Sequence, residues 1–165
     1  MDMDAKRVMA ELERNSKESL DALAKRLKFS RQKIWRIIKG LAESHTIWGY
    51  TAIVDDERRA LKSYVLMLKR SNKLMDEKTL DALTSLKLLD SLEASVESIL
   101  YVHGEYDWIL TFTAPDIIAA KRFCDAFLAA YPGIFGRTSL METLIAVRKQ
   151  HIANPNANRL KEFLA

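Results

Sequence analysis

The sequence predicts an α+β fold in two parts, a helical first third and a β-α-β-β-α-β remainder. Three observations predict it. Between residues 20 and 41, apolar residues recur twice at i, i+3, i+4, i+7, each time behind a serine that can cap a helix. After residue 62 the apolar period drops to two, broken by two further helical stretches. The excess of positive charge is confined to the first part. Residues 1–54 hold 11 Lys/Arg against 7 Asp/Glu, whereas residues 55–165 hold 15 of each.

Length and composition bound the problem. A chain of 165 residues allows one domain or two small ones. A 48% hydrophobic and 29% charged composition argues against wholesale disorder, as do only 5 Gly and 3 Pro. Apolar runs are short, as in Tyr64-Val65-Leu66-Met67-Leu68, far from the ~20 residues of a spanning helix. The first residues are acidic where a signal peptide is basic, so the expected location is the cytoplasm. Cys124 is the single cysteine, which excludes an internal disulfide and a cysteine zinc site.

Residues 4–14 predict a helix capped by Asp4, with Val8, Met9 and Leu12 at helical spacing. Ser19 caps a second helix, residues 20–27, whose stripe is Leu20, Leu23, Ala24 and Leu27. After a short turn at Lys28-Phe29, Ser30 caps a third helix with the stripe Ile34, Ile37, Ile38 and Leu41. Helix, tight turn and helix make a helix-turn-helix plan. At about 100° per residue the apolar stripe centres on Ile34, and Lys39, Gln32 and Arg36 fall on the opposite face. Residues 25–39 carry seven Lys/Arg and no acid, a field that attracts polyanions. An amide suits adenine and a guanidinium suits guanine at the major-groove edge. Gln32, Arg36 and Lys39 are therefore the candidate base readers, with Arg31 and Lys33 assisting. Ser30, Lys25, Lys28 and the helix N-termini are the candidate phosphate contacts.

Residues 47–54 alternate and predict a short strand or a wing-like hairpin arm. The charged run 55–59 predicts a hinge. Strands are expected at 63–69, 98–103, 108–113 and 137–147, and helices at 76–92 and 114–130, with Pro115 in the first turn of the latter. Gly104-Glu105-Tyr106-Asp107 predicts a turn. Two helices on one face of a four-stranded antiparallel sheet is the ferredoxin-like plan. The other sheet face remains apolar and calls for a cover, expected to be a second subunit. The expected organisation is a DNA-binding domain at 1–54, a linker at 55–62, a ferredoxin-like domain carrying the dimerisation face at 63–150, and a mobile or helical tail at 151–165.

With these residues in view, the chain resembles the Lrp/AsnC ("feast/famine") transcription regulators. The N-terminal match runs Leu20-Asp21-Ala22-Leu23-Ala24-Lys25-Arg26-Leu27-Lys28-Phe29-Ser30-Arg31, then Ile34, Arg36, Leu41, Ile47 and Gly49-Tyr50. The C-terminal match runs Val102-His103-Gly104-Glu105-Tyr106-Asp107-Trp108-Ile109-Leu110, then Tyr131-Pro132-Gly133-Ile134 and Arg137-Thr138. The resemblance implies a dimer built through the C-terminal sheets, with tetramers or octamers beyond it, and partly palindromic operators on double-stranded DNA. It also implies an effector, commonly an amino acid, bound near Gly104, Tyr106 and Asp107. The chain departs from the family at His45, where Gly is usual, at Ile37, where Arg is common, and in a longer stretch 71–97. Trp35 and Trp48 are unusual and read as packing residues.

Two rival readings are weighed. Siroheme decarboxylases are similar in two-domain plan, but His45, His103 and His151 are widely spaced and form no cluster. Paired carboxylates, a P-loop and metal-ligand spacing are not found, so no catalytic residue, metal or cofactor is expected. A metabolite-binding module without DNA binding is the other rival, and Gln32, Arg36 and the basic stretch speak against it.

Overall fold

A computed structural model describes residues 2–85 and 93–165. The chain divides into two compact units, Met1–Ile53 with Ala146–Ala165, and Val54–Ile145.

The first unit opens with helices α1 (Met3–Arg14), α2 (Leu20–Leu27) and α3 (Arg31–Glu43). Both serine caps form. Ser19 Oγ accepts from the Ala22 N–H and Ser30 Oγ from the Lys33 N–H, each at 3.2 Å. Each bond satisfies one of the donors a helix start leaves open. Asp4 is not a cap. The helix starts two residues earlier behind Asp2, whose side chain makes no capping bond. Asp4 instead pairs with the Lys33 ammonium, 29 residues along the chain. Val8, Leu12, Leu23, Leu27 and Ile34 make one buried cluster, with Leu20, Ala24, Ile37, Ile38 and Ile47 packed around it.

The turn between α2 and α3 is held by Lys28 in left-handed backbone (φ 57°), whose N–H returns to the Ala24 carbonyl. His45, just past α3, is also left-handed (φ 53°). It therefore occupies with a β-carbon a conformation glycine takes at no steric cost.

Residues 47–55 form neither a strand nor a wing among the described residues. Their alternation is real, but a strand needs a partner for its ladder, and the described chain supplies none. Trp48 is 97% exposed and Tyr50 56%. The charged run beyond is a 3-10 turn, Glu57–Arg59.

The second unit contains β1 (Lys62–Arg70), α4 (Glu77–Ser85), β2 (Ser95–Tyr101), β3 (Trp108–Ala114), α5 (Ile117–Ala130) and β4 (Phe135–Thr143). The order is β-α-β-β-α-β, and the antiparallel sheet runs β2-β3-β1-β4. This is the ferredoxin-like arrangement. Asp76 caps α4, accepting from the Thr79 N–H at 2.8 Å. The part of the expected helix at 86–92 lies outside the described residues. Asp116 caps α5 through the Ala119 N–H, so Pro115 precedes the cap and is not in the first turn. β4 stops at Thr143, opposite Ser63, one residue short of the start of β1. The core packs Tyr64, Leu66 and Leu68 of β1 and Leu110 and Phe112 of β3 against Ala120, Phe123 and Phe127 of α5 and Leu83 of α4.

The tail is not simply helical. Arg148–Lys149 (β5) pairs with Ile152–Ala153 (β6) through a turn where Gln150 is left-handed (φ 50°). A 3-10 turn and a short helix, α6 (Leu160–Leu164), follow. Among the described residues, no helix is long and apolar enough to cross a membrane.

Candidate functional site

The outer face of α3 is assembled by burial of its inner one. Ile34 is fully buried and Leu41 nearly so, which fixes the rotation of the helix about its axis. Gln32, Arg36 and Lys39 are consequently exposed. Lys39 lies 3.6 Å from Glu43 and 5.2 Å from the centre of the Trp35 ring. Arg31 Nε lies 3.7 Å from Asp21. Exposed pairs of this kind are worth little and are exchanged readily for another anion. Lys25 and Lys28 are exposed on α2 and the turn, and Ser30 at the start of α3. Lys33 differs from the others. Its ammonium is engaged by Asp4 and sits 4.1 Å from the centre of the Phe29 ring, which the Arg7 guanidinium also faces at 4.9 Å. That side chain fastens α3 to α1. Neither tryptophan is a packing residue in the ordinary sense, since Trp35 is 52% exposed and Trp48 almost wholly so.

A second cluster lies where β2 meets β3. Asp107 Oδ2 accepts from the Arg70 N–H at 2.7 Å, and Oδ1 from the Lys69 ammonium at 3.2 Å. The Arg70 amide first, and then Lys69, hold the Asp107 carboxyl below the usual carboxylate range. Asp107 N–H in turn donates to the Leu68 carbonyl. Tyr106 is half-buried under the Arg137 guanidinium, 5.3 Å from its ring centre, and Arg137 also pairs with Glu105 at 2.9 Å. Lys69, Arg70 and Arg137 thus join Gly104, Tyr106 and Asp107, which were the residues singled out from sequence. Nothing in the order of the chain places residues 69–70 and 137 beside residues 104–107. The antiparallel pairing of β1 with both β3 and β4 does. Gly104 is not in left-handed backbone, and a β-carbon there would meet nothing within 4 Å.

The Asp107 bonds carry a pH dependence. The folded state favours the ionised carboxylate, so its stabilisation is complete above the unfolded value of about 3.9 and disappears as pH falls through the lower folded value. Asp107→Asn is expected to melt below wild type near pH 7, with the gap closing below about pH 4. Circular dichroism melts across that range check it, and a gap independent of pH would remove the carboxylate from the account.

His45, His103 and His151 are all exposed and far apart in sequence. Among the described residues, no group of three or more His, Cys, Asp or Glu could hold a metal ion. Burial pushes the Cys124 thiol up to about 11, which keeps it protonated.

Solved structures resemble this chain over nearly all of its length. An AsnC family transcriptional regulator from Agrobacterium tumefaciens superposes with a TM-score of 0.71 at 19% identity, covering 94% of this chain and 98% of that one. The leucine response regulatory protein of Mycobacterium tuberculosis gives 0.72 at 19% identity, covering 94% and 100%. The chain has the Lrp/AsnC fold. The Neisseria meningitidis transcriptional regulator NMB0573, solved in complex with L-Met, shares that fold at TM-score 0.70 and 17% identity, covering 96% of this chain and 98% of its own. No protein-family model and no curated protein matches the chain. In these terms α3 is the third helix of the Lrp/AsnC N-terminal region, and the Gly104–Asp107 cluster belongs to its ferredoxin-like part.

Proposed function

We propose that the protein is a sequence-specific, DNA-binding transcriptional regulator that acts as a homodimer or a larger oligomer. The observation that carries this reading is the outer face of α3. Gln32 and Arg36 stand exposed beside Lys39, opposite the buried Ile34. In this reading Gln32, Arg36 and Lys39 contact base edges and Arg31 assists them. Lys25, Lys28, Ser30 and the helix N-termini contact phosphates. Lys33 contributes by holding α3 in place.

Dimerisation is supported by the open face of the sheet, which carries Val65 and Met67 on β1, Ile109 on β3, Leu100 on β2 and Met141 on β4. Leu100 is 51% exposed and Met141 44%. An antiparallel sheet meant to face water is polar on that side, so a second copy of the face is the natural cover. Two copies of α3 related by a two-fold axis would then enter successive major grooves about 34 Å apart.

An amino-acid or other small-metabolite effector fits the β2–β3 cluster. Lys69 and Arg137 beside Asp107 and Glu105 offer both charge signs that a zwitterion needs. Gly104 leaves an open approach that its own backbone conformation does not require. This reading concerns binding and assigns no catalytic residue and no cofactor.

Selection of bound fragments from random duplex DNA tests the function directly, and a two-fold symmetric motif is expected. Two substitutions then separate the roles. Arg36→Ala is expected to cost about 1–3 kcal/mol on the selected site and to relax preference at one base position. Lys28→Ala is expected to weaken selected and random DNA alike and to lower the salt slope by about one per subunit. Fluorescence anisotropy over a salt series measures both. If Arg36→Ala weakens selected and random DNA equally, Arg36 does not read bases.

A further inference from the structure

We propose that Trp35 reads the 5-methyl group of a thymine, which makes it a specificity-determining residue of α3. The proposal rests on the DNA-binding reading above. A tryptophan ordinarily buries most of its ring, yet Trp35 is 52% exposed on the flank of α3. With Ile34 at the inward pole, the indole stands about 100° round the helix, Lys39 about 140°, Gln32 about 160° and Arg36 about 200°. One arc thus presents an aromatic ring, an ammonium, an amide and a guanidinium.

The ring also forms one wall of a shallow, largely apolar depression whose other walls are Leu20, Arg31 and Gln32. Leu20 stands at the start of α2, so two helices contribute to it. The rim is cationic. Arg31 stands at one side, and Lys39 lies 5.2 Å from the ring centre at the other. The acids nearby, Asp21 and Glu43, are exposed and pair with those two cations. An apolar hollow edged with positive charge suits a small apolar group carried on a polyanion. In the major groove, the thymine methyl is the apolar group that the base edges present. An A·T pair offers adenine N6 and N7 to an amide and its methyl to a neighbouring apolar surface. Gln32 and Trp35, three residues apart on one face, match that pair of features.

Uracil lacks only this methyl, so thymine-to-uracil exchange tests the contact. The probe is a duplex recovered from random DNA by the full-length protein, with each thymine of one half-site replaced singly by uracil. Wild type is expected to lose about three- to fivefold in affinity at one of those positions, the effect of leaving about one methyl group unburied. Trp35→Ala is expected to bind the thymine and uracil probes equally, and Trp35→Phe to retain part of the discrimination. The far-ultraviolet circular dichroism spectrum and melting midpoint of each variant, unchanged from wild type, show that the helices remain folded. The proposal is overturned if no uracil exchange weakens wild type, or if the loss is the same size in Trp35→Ala. Should wild type recover no fragment and bind no duplex, the DNA-binding reading falls first, and the Trp35 contact with it.

Discussion

Met67→Asp is expected to yield a folded monomer that binds palindromic DNA at least a hundredfold more weakly than wild type. Met67 sits mid-strand on β1, flanked in register by Ile109 on β3 and Ser139 on β4. Its side chain is on the face away from the core, because Leu66 and Leu68 on either side are the buried ones. Within the single chain Met67 is half-buried, so the substitution leaves the carboxylate partly in water and costs less than it would in the core. In a face-to-face dimer an isologous interface brings the same residue from both subunits toward the axis. Two carboxylates are then desolvated near each other, and one unpaired buried charge alone costs about 2–5 kcal/mol. Loss of the dimer removes the second recognition helix, so affinity falls toward that of one half-site. Sedimentation velocity at micromolar concentration reads the assembly, and anisotropy reads the DNA. A Met67→Asp protein that remains dimeric would place the interface elsewhere on the chain.

The parts of the fold that were legible in the sequence are those where local chemistry decides the outcome. Ser19 and Ser30 are followed by apolar stripes at helical spacing, and both cap as their chemistry requires. The rotation of α3 follows from Ile34 and Leu41, so the exposure of Gln32 and Arg36 was readable residue by residue. β1 alternates cleanly because only one of its faces meets the helices.

The departures share a different cause. Residues 47–54 alternate as well as β1 does, but alternation reports a two-faced chain and not the presence of a neighbour. The alternation predicts β4 through to residue 147 for the same reason, whereas its ladder ends at Thr143 opposite Ser63. β5 and β6 are two residues each, too short for any period, and Gln150 gives no glycine signal at their turn. The Asp4–Lys33 pair, the bonds of Lys69 and Arg70 to Asp107 and the placing of Arg137 over Tyr106 are products of tertiary geometry. No spacing rule reaches across 29 or more residues to find them.

The other large effect is expected from Phe112→Ala, which should destabilise the second unit by about 3–5 kcal/mol. Phe112 is fully buried, with its ring centre 5.5 Å from that of Tyr64 and 4.4 Å from that of Phe123. It joins the middle of the sheet to α5, so its loss leaves a cavity between layers that cannot close without moving a strand. Small domains are stable by about 5–15 kcal/mol in all, so this one truncation removes a large share of the margin. Urea unfolding followed by circular dichroism measures it, and a loss below about 1 kcal/mol would mean that the ring is not packed as described. Met67 and Phe112 project from opposite faces of the same sheet, which makes the two variants complementary. Met67→Asp should change assembly while leaving the unfolding midpoint of a dilute, monomeric sample near that of wild type. Phe112→Ala should lower the midpoint at every concentration, and it should weaken DNA binding only as far as the folded fraction falls. The buried cluster around Ile34 shares no residue with the one around Phe112. Helical signal from α1 to α3 is therefore expected to persist in Phe112→Ala after the sheet has melted, giving two separate unfolding steps.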